Sequence, residues 1–346
     1  MNISNLIAKA GDDVTFAEGS GSSSPFAELK PAYRTPRIGL ALSCGGARGL
    51  AHIGVIQVLE ENRIPIVAVS GCSMGSYVGS LWAYGLNGKE LEELAGEIRR
   101  RWDFLKLLDP VVPPLQGLIH GRKIKRHYQR TIGETTFDQL KTPLYTVATD
   151  VDSYEGRVFH EGVVADAVHA SCCIPGVCAP VELNNHRYVD GGVVEPLPVR
   201  VLLERENLDA VIAVSVVPGV VEMKLTRDME REAYRVSPAW SRALSSVVRH
   251  VNPLAEGNAI DTLRNCISAA QIRLEREAAR FASVMLRPVL IDPQFHDYFR
   301  FQKYIELGRK VAEENLPALL ALTRPIGKET TRHESITPQL EMGLCA

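Results

Sequence analysis

The chain has 346 residues, of which 45% are hydrophobic and 23% charged, the balance of a globular protein with a sizeable core. Its formal net charge of −2 excludes a global basic field of the kind that attracts nucleic acid. The seven cysteines show no paired or metal-binding spacing, and no stretch has the ~18 apolar residues that span a bilayer.

The first structured elements follow a Ser/Gly-rich and Pro-containing stretch, residues 1–36, that predicts a flexible lead-in. An apolar strand from Ile38 to Ser43 and a helix from Leu50 to Asn62 enclose a glycine-rich turn. A second apolar strand begins at Ile66. Because one helix joins the two strands, they are expected to be parallel neighbours linked by a right-handed crossover.

The second strand ends in a G-x-S-x-G pattern, Gly71-Cys72-Ser73-Met74-Gly75, and a helix-compatible run begins at once. This setting is typical of a nucleophile elbow, in which a strained turn lifts the serine above the sheet. Side chains at the two glycine positions would collide with the neighbouring strand and helix. At a helix N-terminus, Ser73 would also lie beside free N–H groups that favour a developing negative charge.

The glycine-rich turn, Cys44 to Gly49, allows two interpretations. One is a dinucleotide fingerprint, but Cys44 replaces its first glycine and the Ser73 motif replaces the acidic residue expected after the second strand. The other is an oxyanion hole formed by the N–H groups of Gly46 and Ala47. Arg48 would steady this loop or attract a phosphate, the alternative being a surface salt bridge.

The middle of the chain is predicted to supply binding surface. A charged amphipathic helix is expected from Gly88 to Arg101, followed by an apolar, Pro-rich loop from Val111 to Ile119. That loop would line an acyl channel, touch a bilayer or pack over the core. The next run, Arg122 to Arg126, carries four positive charges that would meet lipid phosphates or form a solvated helix face.

The later elements alternate between strands and helices. Further strands are predicted at Leu144–Val151, Gly156–Phe159, Ala210–Val217 and Ser283–Leu290, with helices near Val163–Ala170, Glu256–Phe281 and Tyr304–Leu320. A mobile, charged segment is expected from Leu225 to Arg235, and a disordered tail over residues 323–346.

Three blocks of this sequence resemble those of patatin-like phospholipases, in the same order. They are Gly45-Gly-Ala-Arg-Gly49, Gly71-Cys-Ser-Met-Gly75 and Asp190-Gly-Gly192. A fourth block, Ala170-Ser-Cys-Cys-Ile-Pro175, resembles the family segment ahead of the aspartate. The sequence departs from the family at Cys44, where glycine is usual and a Cβ atom would resist a positive φ.

The resemblance implies a catalytic Ser-Asp dyad, with Ser73 as nucleophile and Asp190 as general base. It also implies an oxyanion hole in the loop of Gly45, Gly46, Ala47, Arg48 and Gly49, and a turn at Gly191 and Gly192 that aims the carboxylate. Burial among apolar neighbours would raise the pKa of Asp190 towards that of a useful base. The alternative interpretation of Asp190-Gly-Gly192 is a plain turn between two strands.

We therefore expect one α/β domain, residues 37–322, with a mostly parallel central sheet, helices on both faces and the site at the carboxyl ends of the strands. The predicted function is hydrolysis of acyl esters in phospholipids or other lipids, without a cofactor or metal. The alternative is a non-catalytic regulatory or binding protein on this scaffold. His52 and His169 are each expected to be structural rather than to complete a triad.

The predicted location is cytoplasmic, with transient contact at a membrane surface and no nucleic-acid partner. The oligomeric state and the preferred head group and acyl chain do not follow from the sequence.

Overall fold

The structure, a computed structural model, describes residues 33–238, 258–289, 291–292 and 297–327. The predicted lead-in, 1–36, and tail, 323–346, fall mostly outside these residues and stay predictions. The chain divides into a large unit, residues 35–326, and a unit made of both termini, of which Tyr33, Arg34 and Gly327 are described. Two-residue strands lie at Tyr33–Arg34 and Ile326–Gly327.

An eight-stranded sheet forms the centre of the large unit within the described residues. Its strands, in chain order, are β1 Ile38–Leu42, β2 Ile66–Cys72, β3 Leu144–Asp150, β4 Glu155–Phe159, β5 Val181–Leu183, β6 His186–Asp190, β7 Ala210–Val214 and β8 Val284–Leu286. Strands β3, β2, β1, β7 and β8 lie side by side and run parallel. Strands β4 and β6 pair antiparallel with β3, and β5 pairs antiparallel with β6. The prediction of a mostly parallel sheet is confirmed.

Helices cover both faces of this sheet. They are α1 Ala51–Glu61, α2 Met74–Tyr84, α3 Gly88–Ala95, α4 Arg101–Lys106, α5 Arg122–Ile132, α6 Val164–Ser171, α7 Val199–Arg205, α8 Val220–Val236, α9 Ala259–Ala279, α10 Phe301–Glu314 and α11 Leu316–Ala321. In β1, Leu40 and Leu42 pack into the apolar cluster formed with α1 and α2. Ala41 lies in the other cluster, with Leu202 of α7. Successive strand residues alternate between faces, so one short strand joins both layers.

Three predicted segments differ from the structure. The single helix expected from Tyr304 to Leu320 is divided at Asn315 into α10 and α11. The helix expected from Gly88 to Arg101 ends at Ala95, and α4 begins separately at Arg101. The segment expected to be mobile, Leu225 to Arg235, lies inside the 17-residue helix α8. Val221, Leu225 and Met229 recur at helical spacing in this segment, yet none of the residues of α8 is buried. No helix within the described residues is both apolar and long enough to cross a bilayer.

Helices α1 and α10 cross with their backbones in direct contact. A Cβ atom built at Gly54 would lie 2.0 Å from the Ile305 carbonyl oxygen, and one at Gly308 would lie 1.9 Å from the Ala51 carbonyl oxygen. Only glycine fits at both positions without a shift of one helix. Ala51 is separated from the glycine-rich turn by Leu50 alone. The helix crossing therefore holds the chain close to the end of that turn.

Strands β2 and β6 meet end to end along one edge of β3. Cys72 of β2 pairs with Val147, and Asp190 of β6 pairs with the next residue, Ala148. Both Val147 and Ala148 also pair with β4, which therefore occupies the opposite edge. Because β2 runs parallel and β6 antiparallel to β3, their carboxyl ends point at each other. Ser73 and Asp190 are therefore brought together by the register of the sheet.

Candidate active site

Ser73 occupies a strained turn between β2 and α2. Its backbone has φ 53° and ψ −121°, a conformation that residues with a side chain rarely adopt. A Cβ atom built at Gly75 would lie 2.3 Å from the Leu42 carbonyl oxygen. One built at Gly71 would lie 2.6 Å from backbone atoms of Gly75 and Ser76. The two glycines thus let the elbow press against β1 and against its own helix.

The Ser73 hydroxyl donates a hydrogen bond to the Asp190 carboxylate, with 2.5 Å between Oγ and Oδ2. The other carboxylate oxygen accepts from the Gly192 N–H at 2.8 Å, and the Cys72 thiol lies 3.8 Å from it. Both Ser73 and Asp190 are only 6% exposed. Burial raises the pKa of Asp190 from 3.8 to about 6, against the opposing effect of these hydrogen bonds. Such a carboxylate is ionised at neutral pH and is a stronger base than an exposed one.

The turn after Asp190 fits tightly against the sheet. A Cβ atom at Gly191 would lie 2.3 Å from the Val147 carbonyl oxygen, so this position also requires glycine. The Asp190 N–H donates to the Cys173 carbonyl at 2.8 Å, and the Thr149 hydroxyl donates to the Asp190 carbonyl at 2.9 Å. The turn is a short 3-10 helix, Gly191–Val193, and the backbone of Asp190 is held from both sides.

Ser171, at the end of α6, is a residue of this site that the sequence analysis did not single out. Its hydroxyl donates to the Val147 carbonyl at 2.6 Å and accepts from the Ser73 N–H at 2.8 Å. A hydroxyl has one proton to donate, so the 3.0 Å bond between Ser76 Oγ and Ser171 Oγ has Ser76 as its donor. Only its position in the Ala170–Pro175 block could have pointed to Ser171. Nothing in the local sequence indicates a contact with a residue 98 positions away.

We predict that Ser171→Ala will lower kcat about tenfold for any ester that Ser73 cleaves, with a smaller change in KM. The substitution deprives the Ser73 N–H, the Ser76 hydroxyl and the Val147 carbonyl of one shared partner, and a buried unsatisfied polar group costs about 1–3 kcal/mol. Steady-state kinetics and urea unfolding of the variant check this. Ser76→Ala is the comparator, because it removes one donor and leaves the Ser73 N–H bonded; an equal effect of the two variants would contradict the prediction.

The predicted oxyanion loop packs against both the elbow and the sheet. Gly46 has φ +56°, and a Cβ atom at Gly45 would lie 2.3 Å from a methyl group of Val216. A Cβ atom at Gly49 would lie 2.4 Å from the side chain of Met74, the residue after Ser73. Residues Gly46–Leu50 form a 3-10 helix, in which Ala47 is buried. The glycines place the loop's backbone directly beside the elbow.

Arg48 and Cys44 pack inward around this loop. The Arg48 Nε lies 3.5 Å from the Gly45 carbonyl, and burial lowers the pKa of its guanidinium to about 10. This contact is one that the loop-steadying interpretation expects. Cys44 has no positive φ, so its Cβ atom is tolerated where the family usually has glycine. Its side chain joins an apolar cluster with Cys72 and Val217.

Two histidines lie near the site without the geometry of a base. His52 is fully buried, and its Nε2 bonds the Ser43 carbonyl at 2.9 Å, which requires a proton on that nitrogen. Burial lowers the pKa of His52 to about 4, so the ring is neutral. His169 Nε2 bonds the His120 carbonyl at 3.2 Å, and burial also lowers its pKa. Each histidine thus bonds a backbone carbonyl through Nε2, and His52 Nδ1 is buried without a hydrogen-bond partner.

One group within the described residues has metal-ligand geometry: Asp150, Asp152 and His186, whose ligand atoms lie within 4.8 Å of one another. Each of the three already has a protein partner. Asp150 contacts His186 at 2.7 Å, and Asp152 pairs with Arg187 at 2.5 Å. The hydrogen-bonded network explains this cluster, and nothing further points to an ion there.

The fold and the site together define an α/β protein with a buried serine–aspartate pair at the facing ends of two strands. Residues 40–203 match the family model of patatin-like phospholipases, so this region of the chain is similar to that family. The resemblance predicted from the glycine, serine and aspartate blocks is confirmed.

Similarity to individual proteins extends in part beyond this region. An NTE family protein of Mycobacterium bovis is 37% identical over 229 residues, 66% of this chain and 60% of that protein. Lysophospholipase NTE1 of Cryptococcus neoformans is 28% identical over 302 residues, 84% of this chain and 18% of that protein. Among solved structures, VipD from Legionella pneumophila aligns with a TM-score of 0.45 and 14% identity over 85% of this chain and 68% of that chain. The chain thus spans less than two thirds of the length of the Mycobacterium and Cryptococcus proteins.

Proposed function

We propose that this protein hydrolyses acyl esters of lipids, phospholipids among them, through Ser73 and Asp190. The observation that carries the proposal is the 2.5 Å hydrogen bond from the Ser73 hydroxyl to a buried aspartate, in a strained elbow. The match of residues 40–203 to patatin-like phospholipases supports a lipid ester as substrate. So does the name of the Cryptococcus relative, a lysophospholipase.

In the proposed reaction, the Ser73 oxygen attacks the ester carbonyl while its proton passes to Asp190. The oxyanion that forms is held by N–H groups of the Gly45–Gly49 loop and by those of the first turn of α2, which have no helical carbonyl partner. Asp190 then protonates the leaving alcohol, and an acyl group remains on Ser73. Water, deprotonated by Asp190, releases the fatty acid and restores the serine.

The alternative is a non-catalytic binding protein on the same scaffold. Against it stands the energetic cost of the pair, since burial of the ionised Asp190 and the strained φ of Ser73 both oppose folding. A scaffold without catalysis has no use for either feature.

The test is labelling with a fluorophosphonate and turnover of p-nitrophenyl butyrate and of a phospholipid. We expect the wild type to be labelled and to release product, and Ser73→Ala to lose both while it stays folded by circular dichroism. A folded wild type with neither label nor product would favour the scaffold. Label on Ser73 with turnover of butyrate but of no lipid would retain the esterase and reject the lipid substrate.

A small, mainly apolar cavity is the proposed site for the acyl chain. Cys172, which lies in its wall, directly follows Ser171, whose hydroxyl accepts from the Ser73 N–H. The other lining residues come mainly from α5 and α6: Tyr77, Gly121, Ile124, Lys125, Tyr128, Ala165, Val168, His169, Cys173 and Cys178. An alkyl chain bound there would have its ester end at Ser73.

Ala165→Val should therefore lower kcat/KM for dodecanoyl esters about tenfold relative to butanoyl esters, because each methylene lost from an apolar pocket costs about 1–3 kcal/mol. The ratio of the two rate constants is the measurement. Ala167→Val is the matched control: Ala167 is buried in the same helix but is not among the residues lining the cavity. An unchanged ratio in the Ala165 variant would place the acyl chain elsewhere.

A further inference from the structure

Residues 99–126, hereafter the 99–126 segment, carry a charge of opposite sign to the rest of the chain. The segment contains eight Lys and Arg and two Asp, a net charge of +6, whereas the whole chain carries −2. The remainder therefore carries a net charge of −8. Most of the cationic side chains are exposed: Arg99, Arg100, Arg101, Lys106, Arg122, Lys123 and Arg126.

The same segment exposes large apolar side chains. Trp102 and Leu105, three residues apart on α4, are 73% and 40% exposed. Val112 and Leu115 are each 86% exposed. They lie in a loop closed at its base by pairing of Pro110 with Ile119, so they project at its tip. Exposed aliphatic and indole groups among cations are the pattern of a surface that inserts between lipid head groups.

The two acids of the segment are engaged locally. Asp103 accepts from the Arg100 N–H at the start of α4 and lies 3.6 Å from Lys106. The Asp109 carboxylate accepts from the N–H groups of Gly121 and Arg122, at 2.8 and 3.0 Å, where α5 begins. These acids therefore shape the segment's backbone, and its outward charge remains positive.

Both ends of the segment contact the structures that hold the catalytic pair. Phe104 stacks on Tyr298 with 5.1 Å between ring centroids, and the Tyr298 hydroxyl lies 3.7 Å from the position of a Cβ atom on Gly46. At the other end, the Ile119 N–H donates to the Val177 carbonyl at 3.0 Å, shortly after the block that contains Ser171. The following helix, α5, lines the cavity that reaches Cys172.

We propose that the 99–126 segment docks this protein on the surface of an anionic lipid bilayer. Its cations face the lipid phosphates, and Trp102, Val112 and Leu115 enter the boundary between head groups and acyl chains. The inference rests on the proposed action on lipid esters, since docking would bring the cavity lined by α5 to the membrane. A nucleic acid would match the charge, but it would leave the aliphatic tip of the loop in water.

The experiment is co-sedimentation of the full chain with vesicles of phosphatidylcholine alone or with 30% phosphatidylglycerol, at low and high salt. We expect binding only to the anionic vesicles, weakened by salt. Leu115→Asp and the double variant Arg122→Glu/Lys123→Glu should each raise the apparent dissociation constant about tenfold or more. Trp102 fluorescence should shift to the blue on binding, and Trp102→Phe should remove that shift.

Matched controls are Tyr154→Asp, at a side chain 88% exposed on a different turn, and Arg273→Glu/Arg276→Glu on α9. Their binding should equal that of the wild type. The proposal would be overturned if the protein bound neutral and anionic vesicles equally, or did not bind anionic vesicles. It would also be overturned if the control variants lost as much binding as the variants of the 99–126 segment, or if the protein bound heparin but not vesicles. Turnover of soluble p-nitrophenyl butyrate, measured in parallel, separates the two proposals: its absence in a wild type that binds vesicles would reject the esterase and keep the docking surface.

Discussion

Asp190→Asn is expected to lower ester turnover by about 10³-fold while making the folded protein more stable at neutral pH. The variant removes the proposed base, and an amide can still occupy the site. With its oxygen accepting from the Gly192 N–H and its NH2 group facing Ser73, the asparagine retains both hydrogen-bonded neighbours of the carboxylate. What it loses is a buried negative charge.

The sign of the stability effect follows from the pKa. Burial raises the pKa of Asp190 from 3.8 to about 6, so the folded state binds this proton more tightly than the unfolded state. The resulting stabilisation is complete below pH ~4 and is lost as the pH rises through about 6. The free energy of unfolding of the variant, relative to that of the wild type, should therefore be higher at pH 8 than at pH 4, by up to about 3 kcal/mol. Urea unfolding at the two pH values measures this difference.

Asp152→Asn is the control with the opposite sign. Arg187 holds the pKa of Asp152 below its usual value, so this carboxylate stabilises the fold when ionised. Its substitution should cost a little stability at pH 8, and this cost should shrink as the pH falls. If the relative stability of Asp190→Asn did not rise between pH 4 and pH 8, the Asp190 carboxylate of the wild type would not be held in an unfavourable ionised state. Full turnover by that variant would reject Asp190 as the base.

The second large effect is expected from Gly308→Ala, at the crossing of α1 and α10. The new methyl group would lie 1.9 Å from the Ala51 carbonyl oxygen, so the two helices must separate. Overpacking of this kind costs about 1–3 kcal/mol, and here the obstacle is backbone that cannot rotate away. We expect a loss of about 3 kcal/mol in the free energy of unfolding, measured in urea, despite the higher helix propensity of alanine.

Gly156→Ala is the matched control. Gly156 lies on the exposed strand β4, and a Cβ atom there would meet only the end of the Val194 side chain, at 3.3 Å. Its substitution should change stability by less than about 1 kcal/mol. Equal stability of the Gly308 variant and the wild type would show that the helices can part without cost. Because Ala51 follows the Gly45–Gly49 loop, Gly308→Ala should also reduce turnover.

The parts of this fold that were predictable from sequence are those with a local signal. The segment from Ile38 to Cys72, which forms the first strand, the helix and the second strand, has apolar periodicity and glycines at its turns. The structure places the two strands side by side in the parallel part of the sheet. The tight approaches at Gly71 and Gly75 follow from the motif itself, because its geometry allows no side chain there. Helix α8 carries the same kind of signal, with Val221, Leu225 and Met229 at helical spacing, but its many charged residues led to the prediction of a mobile segment.

The remaining features of the site depend on contacts between distant segments. The end-to-end meeting of β2 and β6 depends on how both align with β3, and no local pattern encodes that alignment. The three hydrogen bonds of Ser171 likewise join α6, β3 and the elbow. A serine within an Ala-Ser-Cys-Cys stretch gives no indication of such partners.

Because β2 and β6 meet end to end, the distance between Ser73 and Asp190 does not depend on how many residues lie between them in the chain. The two residues are 117 positions apart, yet their distance is set by the pairing of Cys72 and Asp190 with adjacent residues of β3, Val147 and Ala148. Loops that leave and rejoin the sheet between them can grow or shrink without moving either residue, provided that β3 keeps its alignment. The spacing of Ser73 and Asp190 therefore does not depend on the length of the loops between them.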